Sequence, residues 1–89
     1  MWTSSGAAII GANKSNDYSY EFEEIVGRAY NSPPIVIPMV FNASATLGKY
    51  ANTAIMLDSV TRSSVAVKIY NSNADSVNLY IRLIIIDKD

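Results

Sequence analysis

Residues 77–86, Val-Asn-Leu-Tyr-Ile-Arg-Leu-Ile-Ile-Ile, put Val77, Leu79, Ile81, Leu83 and Ile85 on one parity and Asn78, Tyr80 and Arg82 on the other. Only an extended strand, whose side chains point to alternate faces, turns that spacing into a single apolar side. The same period returns at Tyr18, Tyr20 and Phe22, set against Ser19, Glu21 and Glu23. Ala7-Ala8-Ile9-Ile10 adds a short apolar run, and residues 53–60 and 65–70 flank Thr61-Arg62-Ser63-Ser64 in the manner of a hairpin. Polar, turn-forming segments at 11–17, 42–52 and 71–76 punctuate the rest. About six short strands with regular turns predict an all-β chain, a small antiparallel β-sandwich.

Two stretches resist the alternation. Phe22, Ile25, Val26, Ala29 and Tyr30 also fit helical spacing, with acids early and Arg28 late, as a helix dipole prefers. Gly27 interrupts that helix and the aromatic residues favour sheet, so strand is the expectation there. Residues 35–41, Ile-Val-Ile-Pro-Met-Val-Phe, are apolar on both parities behind the stiff Asn31-Ser32-Pro33-Pro34 turn. Pro38 cannot donate to a ladder, which places this strand at a free edge or at a bulge.

At 89 residues the chain has room for one core and one domain. Size scaling gives roughly 5,000 Å² of folded surface against about 14,000 Å² unfolded, which is a thin core. Residues 1–6 and 87–89 are expected to be flexible ends. Apolar residues make up 49% and charged residues 17%, too apolar for disorder and suggestive of surface covered by another chain.

Several chemistries drop out. The chain has no His and no Cys, which removes imidazole acid–base catalysis, thiolate nucleophiles and thiolate–imidazole zinc sites. A net charge of −1 offers no phosphate-neutralising footprint, so no nucleic acid partner is expected. No apolar run is long enough for a membrane helix, and the first six residues lack the basic start and apolar stretch of a signal peptide. Glu21 and Glu23, with Glu24 and Asp17 nearby, sit at a spacing compatible with a glycosidase pair, but a solvated strand face shares that spacing. No loop carries the alternating acids of a calcium site. Asn13-Lys14-Ser15 and Asn42-Ala43-Ser44 match the N-glycosylation triplet, a pattern common by chance. No enzyme activity, metal or cofactor is expected.

Strand parity points to where function could reside. If each strand crosses the molecule once, the loops at 11–17, 42–52 and 71–76 gather at one end. The turns at 31–34 and 61–64 share the other end with both termini. The first end is rich in Asn, Ser, Asp and Tyr, the adaptable hydrogen-bonding chemistry of loop-based binding surfaces. Candidate ligand-binding residues there are Asn42, Tyr50, Asn52, Asn71, Asn73 and Asp75. Tyr50 is the aromatic placed in a loop, where a flat ring can stack on a sugar.

Three stretches together resemble the H-type lectin-like domain found at the tips of bacteriophage tail fibres and receptor-binding proteins. Residues 26–37, Val-Gly-Arg-Ala-Tyr-Asn-Ser-Pro-Pro-Ile-Val-Ile, are similar to two apolar or aromatic positions four apart, then a proline and an extended strand. Residues 58–71 are similar to the family's hairpin, in which an apolar-Thr pair leads through a turn into a strand ending at Asn. Residues 79–86 are similar to its closing apolar strand, although Arg82-Leu83 stands where a Trp is common and no Gly closes the strand. The resemblance, over roughly residues 18–86, implies a six-stranded trimeric sandwich in a virion tail or another extracellular setting. It implies a receptor-binding role in host attachment, with binding of host-surface carbohydrate or protein. The alternative is a structural trimerisation domain of a tail or fibre with no ligand of its own.

Association is also expected from apolar surface in excess of one face. Val36 and Val40 are as apolar as their neighbours, and Ile84 and Ile86 occupy the parity that Asn78, Tyr80 and Arg82 occupy earlier. Each such side chain left in water forgoes roughly 1.5–3 kcal/mol of burial. Val36, Val40, Ile84 and Ile86 are therefore the expected interface residues of a closed homo-oligomer, and the resemblance selects three-fold symmetry.

Overall fold

The computed structural model describes residues 1–42 and 52–88. Strand takes up 59% of the described residues and helix 5%. In chain order the elements are β1 (Trp2–Thr3), β2 (Ala8–Ile10), β3 (Lys14–Glu21), α1 (Phe22–Ile25), β4 (Ile35–Asn42), β5 (Thr53–Val60), β6 (Ser64–Asn71) and β7 (Val77–Ile86). They form two antiparallel sheets. β7 is central in the first, with β4 along one side and β1 and β2 in succession along the other. The second has the order β3-β6-β5.

The core lies between the sheets and follows the alternation. Val77, Leu79, Ile81 and Leu83 of β7 are buried, as are Val65, Val67 and Ile69 of β6 and Ala8 and Ile10 of β2. Phe22 and Tyr30 close the end near the β5–β6 hairpin, edge to face with ring centroids 5.1 Å apart. Their backbone N–H groups donate to Ser63 and Arg62 carbonyls at 2.8 Å, which fixes the plug to that hairpin turn. In the turn itself, the Thr61 hydroxyl accepts from the N–H groups of Ser63 and Ser64 at 3.2 and 3.0 Å. The hairpin expected at residues 61–64 is therefore held by its own side chain.

The expected strand between Glu23 and Tyr30 is absent. The chain leaves the β3–β6 ladder after Glu21, turns through α1, and passes Gly27 at φ +83. The helical spacing of Phe22 and Ile25 sends both side chains inward. Val26 N–H closes the turn on the Phe22 carbonyl at 2.8 Å, and Gly27 then takes the left-handed conformation that ends helices. The polar loop expected at 11–17 is shorter too: β3 begins at Lys14, after a turn in which Lys14 N–H donates to the Gly11 carbonyl and Asn13 has φ 53.

The amino-terminal residues, expected to be loose, are tied to β7. Trp2 and Thr3 pair with Leu83 and Arg82, whereas Ala8 pairs with Leu79, so residues 4–7 stand opposite only Tyr80 and Ile81. Ser4 spans this bulge: its N–H donates to the Ile81 carbonyl at 2.8 Å, and Ile81 N–H donates to its hydroxyl at 3.1 Å. β1 and β2 are one interrupted strand, which reconciles seven strands with the expected six or so.

Candidate functional site

The loops converge as parity requires. Lys14 and Thr53 both lie opposite Asn71, and Ile10 lies opposite Val77. Residues 11–13, residues 72–76, and Asn42 and Asn52, which bound the 43–51 stretch, therefore share one end. Asn13 N–H donates to the Asn73 carbonyl at 3.2 Å, and Ser72 N–H donates to the Asn52 carbonyl at 2.9 Å.

Asn71 organises that end. It continues the inner parity of Val65, Val67 and Ile69 and is 2% exposed. Its Nδ2 donates to the carbonyls of Ile10 (3.1 Å), Gly11 (3.0 Å) and Asp75 (2.9 Å). Its Oδ1 accepts from the Asn73 N–H (2.9 Å) and from Asn73 Nδ2 (2.8 Å). A carboxamide used this fully binds loop to loop and has nothing left for a ligand. Of the other candidates, Asn52 and Asp75 are exposed and Asn73 is half-buried. The backbone of Asn42 pairs with Leu79, and Tyr50 lies outside the described residues. The end thus keeps Asn52 and Asp75 as open polar side chains beside a structural pair, Asn71 and Asn73.

The second surface is the outer face of the β7 sheet. Directly paired residues share a face, so the register decides what sequence could not. Val36 stands opposite Ile85 and Val40 opposite Ile81, on the core side. Val36 is 6% exposed and Val40 packs against the core, so both expected interface residues are used inside the single chain. Ile84 and Ile86 do face outward, and their partners there are Ile37 and Ile35. Ile35, Ile37 and Ile86 are 45–48% exposed, on the β4–β7 pair of this sheet.

This outer face has two halves. Toward the termini it is aliphatic: Ile35, Ile37, Ile84 and Ile86. Toward the loops it carries Thr3, Ile9, Met39, Phe41, Asn78, Tyr80 and Arg82. There the Phe41 and Tyr80 rings stack with centroids 5.3 Å apart and 25° between planes. The Arg82 guanidinium carbon lies 4.6 Å over the Phe41 ring, and Arg82 Nε donates to the Thr3 hydroxyl at 3.2 Å. Sequence reasoning missed Phe41, Tyr80 and Arg82 as a unit because only the β4–β7 register joins positions so far apart.

The outer face of the other sheet is different in kind. Ser15, Asp17, Ser19 and Glu21 are exposed on β3, and Lys68 of β6 pairs with Asp17 at 3.5 Å. The glutamates considered as a catalytic pair are separated in kind as well: Glu21 ends β3, whereas Glu23 and Glu24 stand exposed on α1. Among the described residues no helix is long and apolar enough to cross a membrane. No family model matches the chain, and neither a curated protein nor a solved structure does.

Proposed function

We infer that the chain is a non-enzymatic recognition module of a phage tail fibre or baseplate. It works as a homotrimer that meets host-surface carbohydrate with its loop end. The observation that carries this reading is the division of the surface. Polar loops lie at one end, both termini lie at the other, and an unpaired apolar sheet face runs between them. Second copies of the chain are the cover for that face. Its aliphatic half has no charged side chain, so identical faces meet without like-charge repulsion. Each half-exposed isoleucine gains about 1 kcal/mol on being covered. The H-type lectin-like motifs supply the attachment device, and three-fold valency multiplies weak loop contacts into useful avidity.

A second reading, an assembly domain with no ligand, is favoured by the Asn71 network, which spends the most buried polar group of the loop end on internal bonds. The two separate on a glycan array and on whole bacterial cells, using wild type and Asn52→Ala/Asp75→Ala. Recognition requires binding by wild type that the double variant loses while keeping its oligomeric mass. Absence of wild-type binding to every glycan and cell type leaves the assembly reading in its place.

A further inference from the structure

Arg82 is a cation in an unusual position. It is half-buried, it is the charged residue among the described ones on the outer face of the β7 sheet, and apolar rows of Ile37–Ile84 and Phe41–Tyr80 lie on either side of it. No carboxylate among the described residues pairs with it; the acids that form ion pairs, Asp17 and Asp87, do so with Lys68 and Arg28. A guanidinium partly removed from water gains most from an anion, and its planar fork matches a carboxylate through two parallel N–H···O bonds.

The guanidinium is also pre-organised. The Phe41 ring centroid lies 4.6 Å from the guanidinium carbon, the Tyr80 ring stacks on Phe41, and the Thr3 hydroxyl holds Nε. With Nε bonded to Thr3, the two terminal nitrogens remain as donors with no hydrogen bond among the described residues. Fixing the side chain before binding removes most of the entropy cost that a free arginine would incur on forming a bidentate pair. Around it are the other groups that a sugar ring needs. Tyr80 offers an aromatic surface for an apolar ring face, and the amide of Asn78 is exposed two residues further along β7. Phe41 and Tyr80 are one ladder step from Asn42, where the chain enters the loop end.

We propose that Arg82, braced by Phe41, Tyr80 and Thr3, is a preformed anchor for the carboxylate of an acidic saccharide, bound on the loop-end half of the β7 sheet's outer face. This rests on the recognition reading and narrows it, from host-surface carbohydrate in general to sugars that carry a carboxylate. The aliphatic half of the same face remains for contact between copies.

The test is an NMR titration of the full chain with sodium glucuronate, with glucose and with sodium acetate. Glucuronate is expected to shift the Arg82 Nε–H, Thr3 and Tyr80 resonances and to bind more tightly than either glucose or acetate. Arg82→Gln lowers glucuronate affinity by about tenfold or more, as loss of a charge-assisted pair does. Arg82→Lys keeps the charge, loses the fork and falls between. Phe41→Leu leaves Arg82 in place without its brace and also weakens binding, which covers the case of an Arg82 variant that folds poorly. Lys68→Gln, on the opposite sheet, changes nothing. Equal binding of glucose and glucuronate overturns the carboxylate anchor and leaves recognition standing, whereas no binding of either sugar counts against both. An Arg82→Gln variant that binds glucuronate as tightly as wild type overturns the anchor, and one that drops to monomer while wild type ignores glucuronate assigns Arg82 to the contact between copies instead.

Discussion

Truncating Asn71 to alanine leaves three backbone carbonyls and the Asn73 N–H short of a partner at the end where two loops meet. Leaving buried polar groups unpaired costs more than a typical hydrogen bond is worth, so Asn71→Ala is expected to lose about 2–4 kcal/mol in urea unfolding. An Asn71→Ala variant as stable as wild type would show that water replaces the carboxamide without cost. Tyr20 makes a different residue-scale prediction. Burial raises its hydroxyl pKa above the ordinary 10.0, and neighbouring Tyr18 adds to the rise. The folded chain therefore holds this proton more tightly than the unfolded chain. Tyr20 contributes no pH dependence below pH 10, and stability falls as pH rises from 10 toward the folded pKa. Wild type should lose more stability between about pH 9 and about pH 11 than Tyr20→Phe, the difference between their urea midpoints being the readout. The inner placement of Asn71 extends the parity of Val65, Val67 and Ile69, although the sequence put it in the polar 71–76 loop as a ligand-binding candidate. Its neighbours were not legible there, because Ile10 and Gly11 lie some sixty positions away.

At the scale of elements, every open strand edge among the described residues carries a device against further pairing. β5 is bulged at Asp58: Leu57 pairs with Val67 but Ser59 with Ala66, and the extra residue lets both Ile55 and Val60 pack against the core. β1 and β2 are broken at residues 4–7, and β3 presents Asp17 and Glu21. β4 has Pro38, which lies within a continuous ladder to β7, so its missing N–H falls on the free edge. Pro38→Val restores that donor on an apolar strand. The variant is expected to form strand-paired aggregates that raise thioflavin fluorescence at concentrations where wild type stays clear. Unchanged behaviour would mean the edge is covered by something other than the proline. Pro38 narrowed β4 to a free edge or a bulge, and the strands of β6 and β7 could be read from their alternation. The helical turn could not be decided that way, because Phe22 extends the strand parity of Tyr18 and Tyr20 and also begins the helical spacing shared with Ile25.

For the whole molecule, blunted edges and an apolar face together specify how copies can meet. Strand addition is obstructed on each described edge, while Ile35, Ile37 and Ile86 of the aliphatic rows Ile35–Ile86 and Ile37–Ile84 stand 45–48% exposed. The sequence announced the excess of apolar surface and assigned it to Val36, Val40, Ile84 and Ile86; β4 is apolar on both parities, and register alone moves its share from Val36 and Val40 to Ile35 and Ile37. The prediction follows from the corrected face. Ile84→Lys places a charge at the centre of the aliphatic half, with its stem free to reach water in a monomer. It should leave the β-sheet circular dichroism spectrum unchanged and reduce the mass measured by light scattering from three times 9.7 kDa to 9.7 kDa. Met56→Lys is the matched control. Met56 is 45% exposed on the outer face of the other sheet, beside Lys68 in the ladder, and its replacement should leave the mass unaltered. A wild-type chain that scatters as 9.7 kDa at micromolar concentration removes the trimer. A trimer that survives Ile84→Lys but not Met56→Lys moves the contact to the β3-β6-β5 sheet.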